Sequence, residues 1–450
     1  MSAIVSSFLF ARRVDAQAGL KNYGSKYSIF FGMKFFQKSA VLASLLLFSA
    51  ANAQSHQKGN VPVPVRPVVD LGDVVRKAER ITHNPDDSFS FDLNGEKILY
   101  TYRELDNLWD FAYNVLNSCR PNAILFTNGD NDTFPLWYLQ RVYNIRKDVV
   151  VVNLSLGNTS WFIKRILKEN PSLKLSYSEE EIDRDMDNNI NLANPEYQSS
   201  TWQDRAESMT QKLKKRIDRM EQGPIADSEQ EKYFLYKLHY QVWNAFLKWF
   251  EQMNPSFMLT QYKLVVDLTL QNPNRPIEFA TTVGENSLMG LEGYMIQEGM
   301  VYRFVAGDLT YEKYRFDAEY SAHLIDEVFR FRGMTTAYIH DPLRYLFSAY
   351  VSIYLQISFD AREKILKLSN DGGDQSQIDS LAAFAERYLK LGMSQFPEEW
   401  RNYWAAAYLF DSAKNKSKAL SYAKQGIDAT NDKVGKERLE LAYKQIQGGN

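Results

Sequence analysis

The chain has 450 residues with a net charge of −2, 45% apolar and 24% charged residues, enough for two or three domains with a buried core. That charge balance argues against general electrostatic nucleic-acid binding, which needs a basic face. One cysteine, Cys119, and 5 histidines exclude an intramolecular disulfide or a cysteine cluster and speak against a histidine-rich metal site.

Met33 opens the stretch "MKFFQKSAVLASLLLFSAANAQS", with cationic Lys34 and Lys38, an apolar run from Ala40 to Phe48, and small residues Ala51 and Ala53. This is the three-part layout of a secretory signal peptide, cleaved after Ala53. The run falls short of the roughly 20 residues of a membrane span, and no cysteine follows it to carry a lipid anchor. Residues 1–53 are therefore read as a signal peptide with an upstream extension, translation starting at Met33. The mature chain is expected in the periplasm or otherwise exported, without a stable transmembrane span. Residues 54–100 form a linker and N-terminal segment that begins Pro- and Val-rich, an extended composition.

From residue 103, Leu105, Leu108, Trp109, Ala112, Val115 and Leu116 recur at helical spacing until Pro121. Cys119, at the end of this helix, is read as a buried, inert thiol. "NAILFTN" predicts a buried strand, and "PLWYLQRVYNI" a helix with Pro135 in its first turn. "DVVVVNLSL" is a second strand, and "NTSWFIKRILKEN" a helix that Asn158, Thr159 or Ser160 is placed to cap. Alternating helices and strands predict an α/β domain over 101–310, a small, mostly parallel sheet flanked by helices, with a helical insertion near 180–255. In that insertion "EEEIDRDMDNNINLANPE" reads as an exposed acidic excursion. "RPIEFATTVG" is a third strand ending in a polar loop, and "EGYMIQEGMVYRFV" returns as a strand.

Residues 311–450 change to successive helices, a tetratricopeptide-like tail in which small Ala407 and Ala419 allow close helix contact while Tyr403, Phe410 and Ala423 hold packing positions. Such a tail offers a concave face for a protein partner.

The polar loops after the first two strands should share one rim, where ligands of open parallel sheets bind. "NGDNDT" places Asp130, Asn131 and Asp132 there, and "NLSLGNTS" adds Asn153, Ser155 and Asn158. Three readings of these residues stand. Asp132 or Thr133 caps the following helix, worth about 1 kcal/mol. Alternatively the loop binds a polar ligand such as a glycan, with Trp161 as a flat face for a sugar ring. Lastly, Asp130 and Asp132 hold a hard divalent cation through carboxylate oxygens. The D-x-D pattern is short and recurs by chance. Glu298 and Arg303 either form an internal ion pair, the favoured reading, or touch a ligand. No G-x-S-x-G, H-E-x-x-H or glycine-rich phosphate loop is present, so no cofactor beyond a divalent cation is implied.

The segments "AYNVLNSCRPNAILFTNGDNDTFPLWYLQ", "VVVVNLSLGNTSWFIKRIL" and "NRPIEFATTVGENSLMGLEGYMIQEGMVYRFV" occur in that order. Together they resemble the C-terminal, extramembrane region of a bacterial membrane-protein family called domain of unknown function 2723, related to protein O-mannosyltransferases, over residues 108–335. In that family a multi-span membrane portion precedes this region; here a signal peptide stands in its place. The resemblance implies an exported, non-catalytic accessory domain that binds a glycan or a protein, with a membrane-bound homologue among the partners. The alternative is a divalent-cation-dependent enzyme acting on sugars through Asp130 and Asp132.

Overall fold

A computed structural model describes residues 81–83, 88–93, 96–185, 190–191, 200–253, 257–306, 315–331 and 344–448. The leader with its cleavage position and the Pro/Val-rich stretch lie outside the described residues. Two compact units divide the chain. One gathers the described residues up to Asn114 with Phe134–Ile145 and everything from Ala318 onward; the other holds Val115–Thr133 and Arg146–Asp317.

In the first unit, β1 (Ile81–His83), β2 (Ser88–Leu93) and β3 (Glu96–Thr101) form an antiparallel three-stranded sheet. The sequence reading assigns no element here. α1 (Tyr102–Ser118) follows at once, and its apolar stripe from Leu108 to Leu116 is buried as the spacing requires.

The second unit is built on a six-stranded mixed sheet. Its members are β4 (Ile124–Thr127), β5 (Val150–Asn153), β8 (Ile277–Ala280), β9 (Met295–Glu298), β10 (Val301–Phe304) and β11 (Arg315–Phe316), in the order β11-β9-β10-β8-β4-β5. β4 lies parallel to both β5 and β8, with Ile124 opposite Val150 and Ile277. Every residue of these three strands is buried, so their continuous apolar runs are those of strands covered on both faces. The "EGYMIQEGMVYRFV" return is a hairpin of β9 and β10, which pairs antiparallel with β8. The parallel character expected of the sheet therefore holds for its β8-β4-β5 part and for the β9-β11 pair.

Three helices adjoin these strands along the chain. α2 (Asp130–Val142) starts directly after β4, a turn earlier than "PLWYLQRVYNI" suggests, so Pro135 sits inside it. Lacking an N–H, Pro135 cannot bond the Asn131 carbonyl, a tolerable loss this close to the helix start. α3 (Ser160–Glu169) follows β5, and α7 (Thr260–Gln271) precedes β8. Between α3 and α7 come α4 (Glu179–Asp185), β6 (Ile190–Asn191), α5 (Ser200–Met220), α6 (Gln230–Met253) and β7 (Phe257–Met258). Part of the acidic excursion is thus the helix α4, while residues 186–189 and 192–199 lie outside the described residues.

After the short α8 (Ala318–His323) the first unit closes as an all-helical tail. Its helices are α9 (Arg344–Asn370), α10 (Gln375–Gln395), α11 (Trp400–Ser412), α12 (Lys416–Ala429) and α13 (Lys433–Gly448). Ala407, Ala419 and Ala423 are fully buried, and Tyr403 and Phe410 join them in one apolar cluster. Asp374, Glu399 and Asn415 cap α10, α11 and α12 through their side chains.

Candidate functional site

The carboxyl ends of β4, β5 and β8 bring Thr127, Asn153 and the Thr281–Thr282 pair to one rim, as parallel pairing dictates. Gly129 takes the N-cap position of α2, which puts Asp132 three residues in. From there the Asp132 carboxylate reaches back: Oδ1 accepts from Gly129 N–H at 2.7 Å and Oδ2 from Asn128 N–H at 3.2 Å. The backward bond from position N3 is half of a capping box. Oδ2 also accepts from Thr282 Oγ1 at 2.5 Å, which ties α2 to the end of β8. Burial pushes the Asp132 carboxyl above its ordinary value, against the pull of the Thr282, Asn128 and Gly129 donors.

Thr133 does not cap. Its hydroxyl donates to Gly129 O at 2.5 Å and its oxygen accepts from Asn153 Nδ2 at 2.8 Å. With that proton committed, Thr127 Oγ1 must be the donor in its 2.7 Å bond to Thr133 Oγ1. Asn153 completes the clasp, donating also to Gly129 O at 3.2 Å and accepting from Leu156 N–H at 2.8 Å. Ser155 Oγ donates to Asn128 O at 2.8 Å.

Asn158 lies on the same loop but turns to α7, donating to Gln261 Oε1 at 2.9 Å and accepting from Gln261 N–H at 3.0 Å. It therefore does not cap α3. Thr159 occupies the N-cap position, yet its hydroxyl donates backward to Leu156 O at 2.7 Å. The expectation of a side-chain cap here fails because the single turn before α3 offers Thr159 a nearer carbonyl. Trp161, in the first turn of α3, is 43% exposed with its ring edge-on to Phe162.

Asn131 is fully buried, and neither its Oδ1 nor its Nδ2 has a hydrogen-bond partner. Asp130 opens α2; its side chain lies outside the described part. Among the described residues no three His, Cys, Asp or Glu side chains are grouped to hold a metal ion. The rim is thus a set of buried neutral hydrogen-bonding groups and one carboxylate, bonded mainly to each other.

Sequence reasoning singled out Asp132, Asn153 and, as a cap, Thr133, but not Thr127 or Thr282. Thr127 sits beside the motif and was legible from it. Thr282 is 150 positions from Asp132, and only the parallel pairing of β4 with β8 brings it near.

On the β9-β10 hairpin, Glu298 is 1% exposed and held by two guanidiniums. Arg303 is one of them, the pair expected from sequence; Arg120 is the other. Each donates through Nε to Oε2, at 3.0 Å from Arg120 and 2.9 Å from Arg303, and through Nη2 to Oε1 at 2.7 Å. Burial alone would raise the Glu298 pKa; the two arginines more than reverse it and hold it low. Glu278 on β8 is fully buried, accepts from Arg120 N–H at 3.0 Å through Oε1, and has no hydrogen-bond partner at Oε2. Burial pushes its pKa up to about 7. Cys119 is buried beside it, with its thiol donating to Val115 O at 3.4 Å and its pKa driven up by burial.

Residues 108–242 match the family model described as TMEM260-associated domain 2. That stretch carries the rim loop, β5 and Trp161, and ends inside α6; Thr282, Glu278, Glu298 and Arg303 lie beyond it. No curated protein and no solved structure matches the chain.

Proposed function

We propose that this protein is an exported, non-catalytic binding domain whose rim recognises a glycan or a protein partner, accessory to glycosylation in the cell envelope. The observation that carries this reading is the engagement of Asp132: both its oxygens are taken by Asn128, Gly129 and Thr282. A metal-dependent transferase would need a carboxylate open to its cation, whereas Asp132 is 2% exposed with most of its lone pairs engaged. The group left open to a ligand is Trp161, 43% exposed on the helix that follows the β5 loop. An exposed amphipathic aromatic suits a polyhydroxyl ligand. The resemblance to the extramembrane region of the O-mannosyltransferase-related family supports the envelope assignment, and the Lys34–Ala53 layout supports export. Among the described residues no helix is long and apolar enough to cross a membrane.

Calorimetric titration with soluble manno- and gluco-oligosaccharides, and separately with Ca²⁺, Mg²⁺ and Mn²⁺, tests the reading. Oligosaccharide binding that Trp161→Ala abolishes supports it. Cation binding that disappears in both Asp130→Ala and Asp132→Ala overturns it in favour of the sugar-modifying enzyme.

A further inference from the structure

A cavity of about 620 Å³ opens where β4 and β8 begin, at the end of the sheet away from the rim. Its volume lies in the range of small-molecule sites, roughly 300–1,000 Å³. Three arginines line it: Arg120 from the turn after α1, Arg275 from the turn before β8, and Arg303 from β10. The remaining wall includes Phe234 and Leu238 of α6 and Phe304 of β10.

The guanidiniums are held in place by the protein and not by the ligand. Arg120 and Arg303 both grip Glu298, while Arg275 donates from Nε to Asn122 O at 2.8 Å and from Nη2 to Asp148 O at 3.2 Å. Their side chains remain accessible, Arg120 at 34% and Arg303 at 25%. Among the described residues charge does not balance around them. Glu298 and Asp148, the latter already paired with Arg146, stand against the three cations, and Glu278, behind Arg120, is kept partly protonated near neutrality by its burial. The hydrogen-bond acceptors of Arg275 are two carbonyls and the Ser172 hydroxyl, all uncharged, and burial pulls its pKa below the ordinary guanidinium value. Pre-positioned guanidinium forks with surplus charge match the geometry of carboxylate and phosphate oxygens.

We propose that this cavity binds a small amphiphilic anion, a carboxylate or phosphate group on an apolar body, with Arg120, Arg275 and Arg303 around the oxyanion and Phe234, Leu238 and Phe304 against the body. The site is separate from the rim, on which no part of this proposal depends.

Calorimetric titration of the full chain at low salt with octanoate, octyl phosphate, octylamine and inorganic phosphate tests it. Octanoate or octyl phosphate should bind one-to-one, with octylamine and inorganic phosphate each weaker by about tenfold or more. Ala306→Trp fills the cavity, and Phe234→Ala trims a wall residue that is already 41% exposed; neither replaces a residue of the Arg–Glu cluster. Each should weaken the octyl anion about tenfold with the melting temperature nearly unchanged, Phe234→Ala serving alone if Ala306→Trp fails to fold. Equal binding of octylamine overturns the proposal, as does anion binding that survives the substitutions, or no binding of either octyl anion at millimolar concentration.

Discussion

Thr282 Oγ1 donates to Asp132 Oδ2 at 2.5 Å, joining the end of β8 to the first turn of α2 across 150 residues of sequence. With Asn128 N–H on the same oxygen and Gly129 N–H on Oδ1, the carboxylate is the knot of the rim. Sequence reasoning expects Asp132→Ala to cost about 1 kcal/mol, as for a lost cap, and Asp132→Asn much less. The geometry changes both values. Alanine leaves two backbone donors and one hydroxyl unpaired, costing about 2–3 kcal/mol. Asparagine keeps one accepting oxygen but points its NH₂ at a backbone N–H, so its cost should approach that of alanine. Chemical denaturation of the two variants checks this; an Asn variant as stable as the parent would show the knot to be loose.

Thr282→Val removes only the long-range strand of the knot. The side chain keeps its shape, Asp132 keeps both backbone donors, and the expected loss is about 1 kcal/mol. A double-mutant cycle with Asp132→Asn reads the coupling directly, since residues sharing a hydrogen bond are non-additive by about 0.5–3 kcal/mol. Additive losses would place the two side chains in separate roles.

Glu278 and Glu298 impose opposite pH dependences. Glu278 has its folded pKa raised from 4.5 to about 7, so the folded state binds more protons than the unfolded one in that window. Its contribution is present in full below the unfolded value of 4.5 and is lost as pH rises through about 7, a change of about 3 kcal/mol at about 1.4 kcal/mol per pKa unit. Glu298 is held below 4.5 by Arg303 and Arg120; its contribution is present above that value and lost as pH falls through its depressed folded pKa. Glu278→Gln should flatten the decline between pH 4.5 and 7 while preserving the acid limb. The slope is the readout, because the buried amide nitrogen brings its own desolvation cost. Glu298→Gln should cost about 3 kcal/mol at neutral pH, the lower end for a broken buried pair, because both guanidiniums keep access to water. Denaturation curves across pH 3–8 on the three proteins distinguish these limbs.

The layered α/β plan and the helical tail were legible because they rest on local signals: helical spacing from Leu105 to Leu116, β-branched density in "VVVVN", and alternating element lengths. The rim was legible in part, since two polar loops following parallel strands must share an edge. The partners of those loops were not. Thr282 reaches Asp132, Gln261 takes Asn158, and Arg120 doubles the grip on Glu298 only through β8, α7 and β9, elements distant in sequence. The start of α2 was misplaced for a related reason: Pro135 is a strong local sign of a first turn, and it outweighed the three-residue backward reach of Asp132 that starts the helix sooner. The basic cavity has no local signature, because its three arginines are spread from residue 120 to residue 303.

In the tail, Gly426 of α12 lies where three helices meet. A Cβ placed there would stand 2.6 Å from Tyr403 Cβ on α11 and 2.8 Å from Leu439 Cδ1 on α13. The Leu439 terminus can rotate aside, but Tyr403 Cβ is fixed to its backbone, so α11 and α12 must separate. Overpacking of this kind costs about 1–3 kcal/mol, and the better helix propensity of alanine returns up to about 1 kcal/mol. Gly426→Ala should therefore destabilise the protein by about 1–2 kcal/mol, against the usual gain for glycine-to-alanine changes in helices. Lys424→Ala, two residues away on the exposed side of α12, should stay within about 0.5 kcal/mol of the parent. Thermal denaturation followed by circular dichroism measures both. A Gly426→Ala protein more stable than the parent would mean that α11 and α12 do not approach each other this closely.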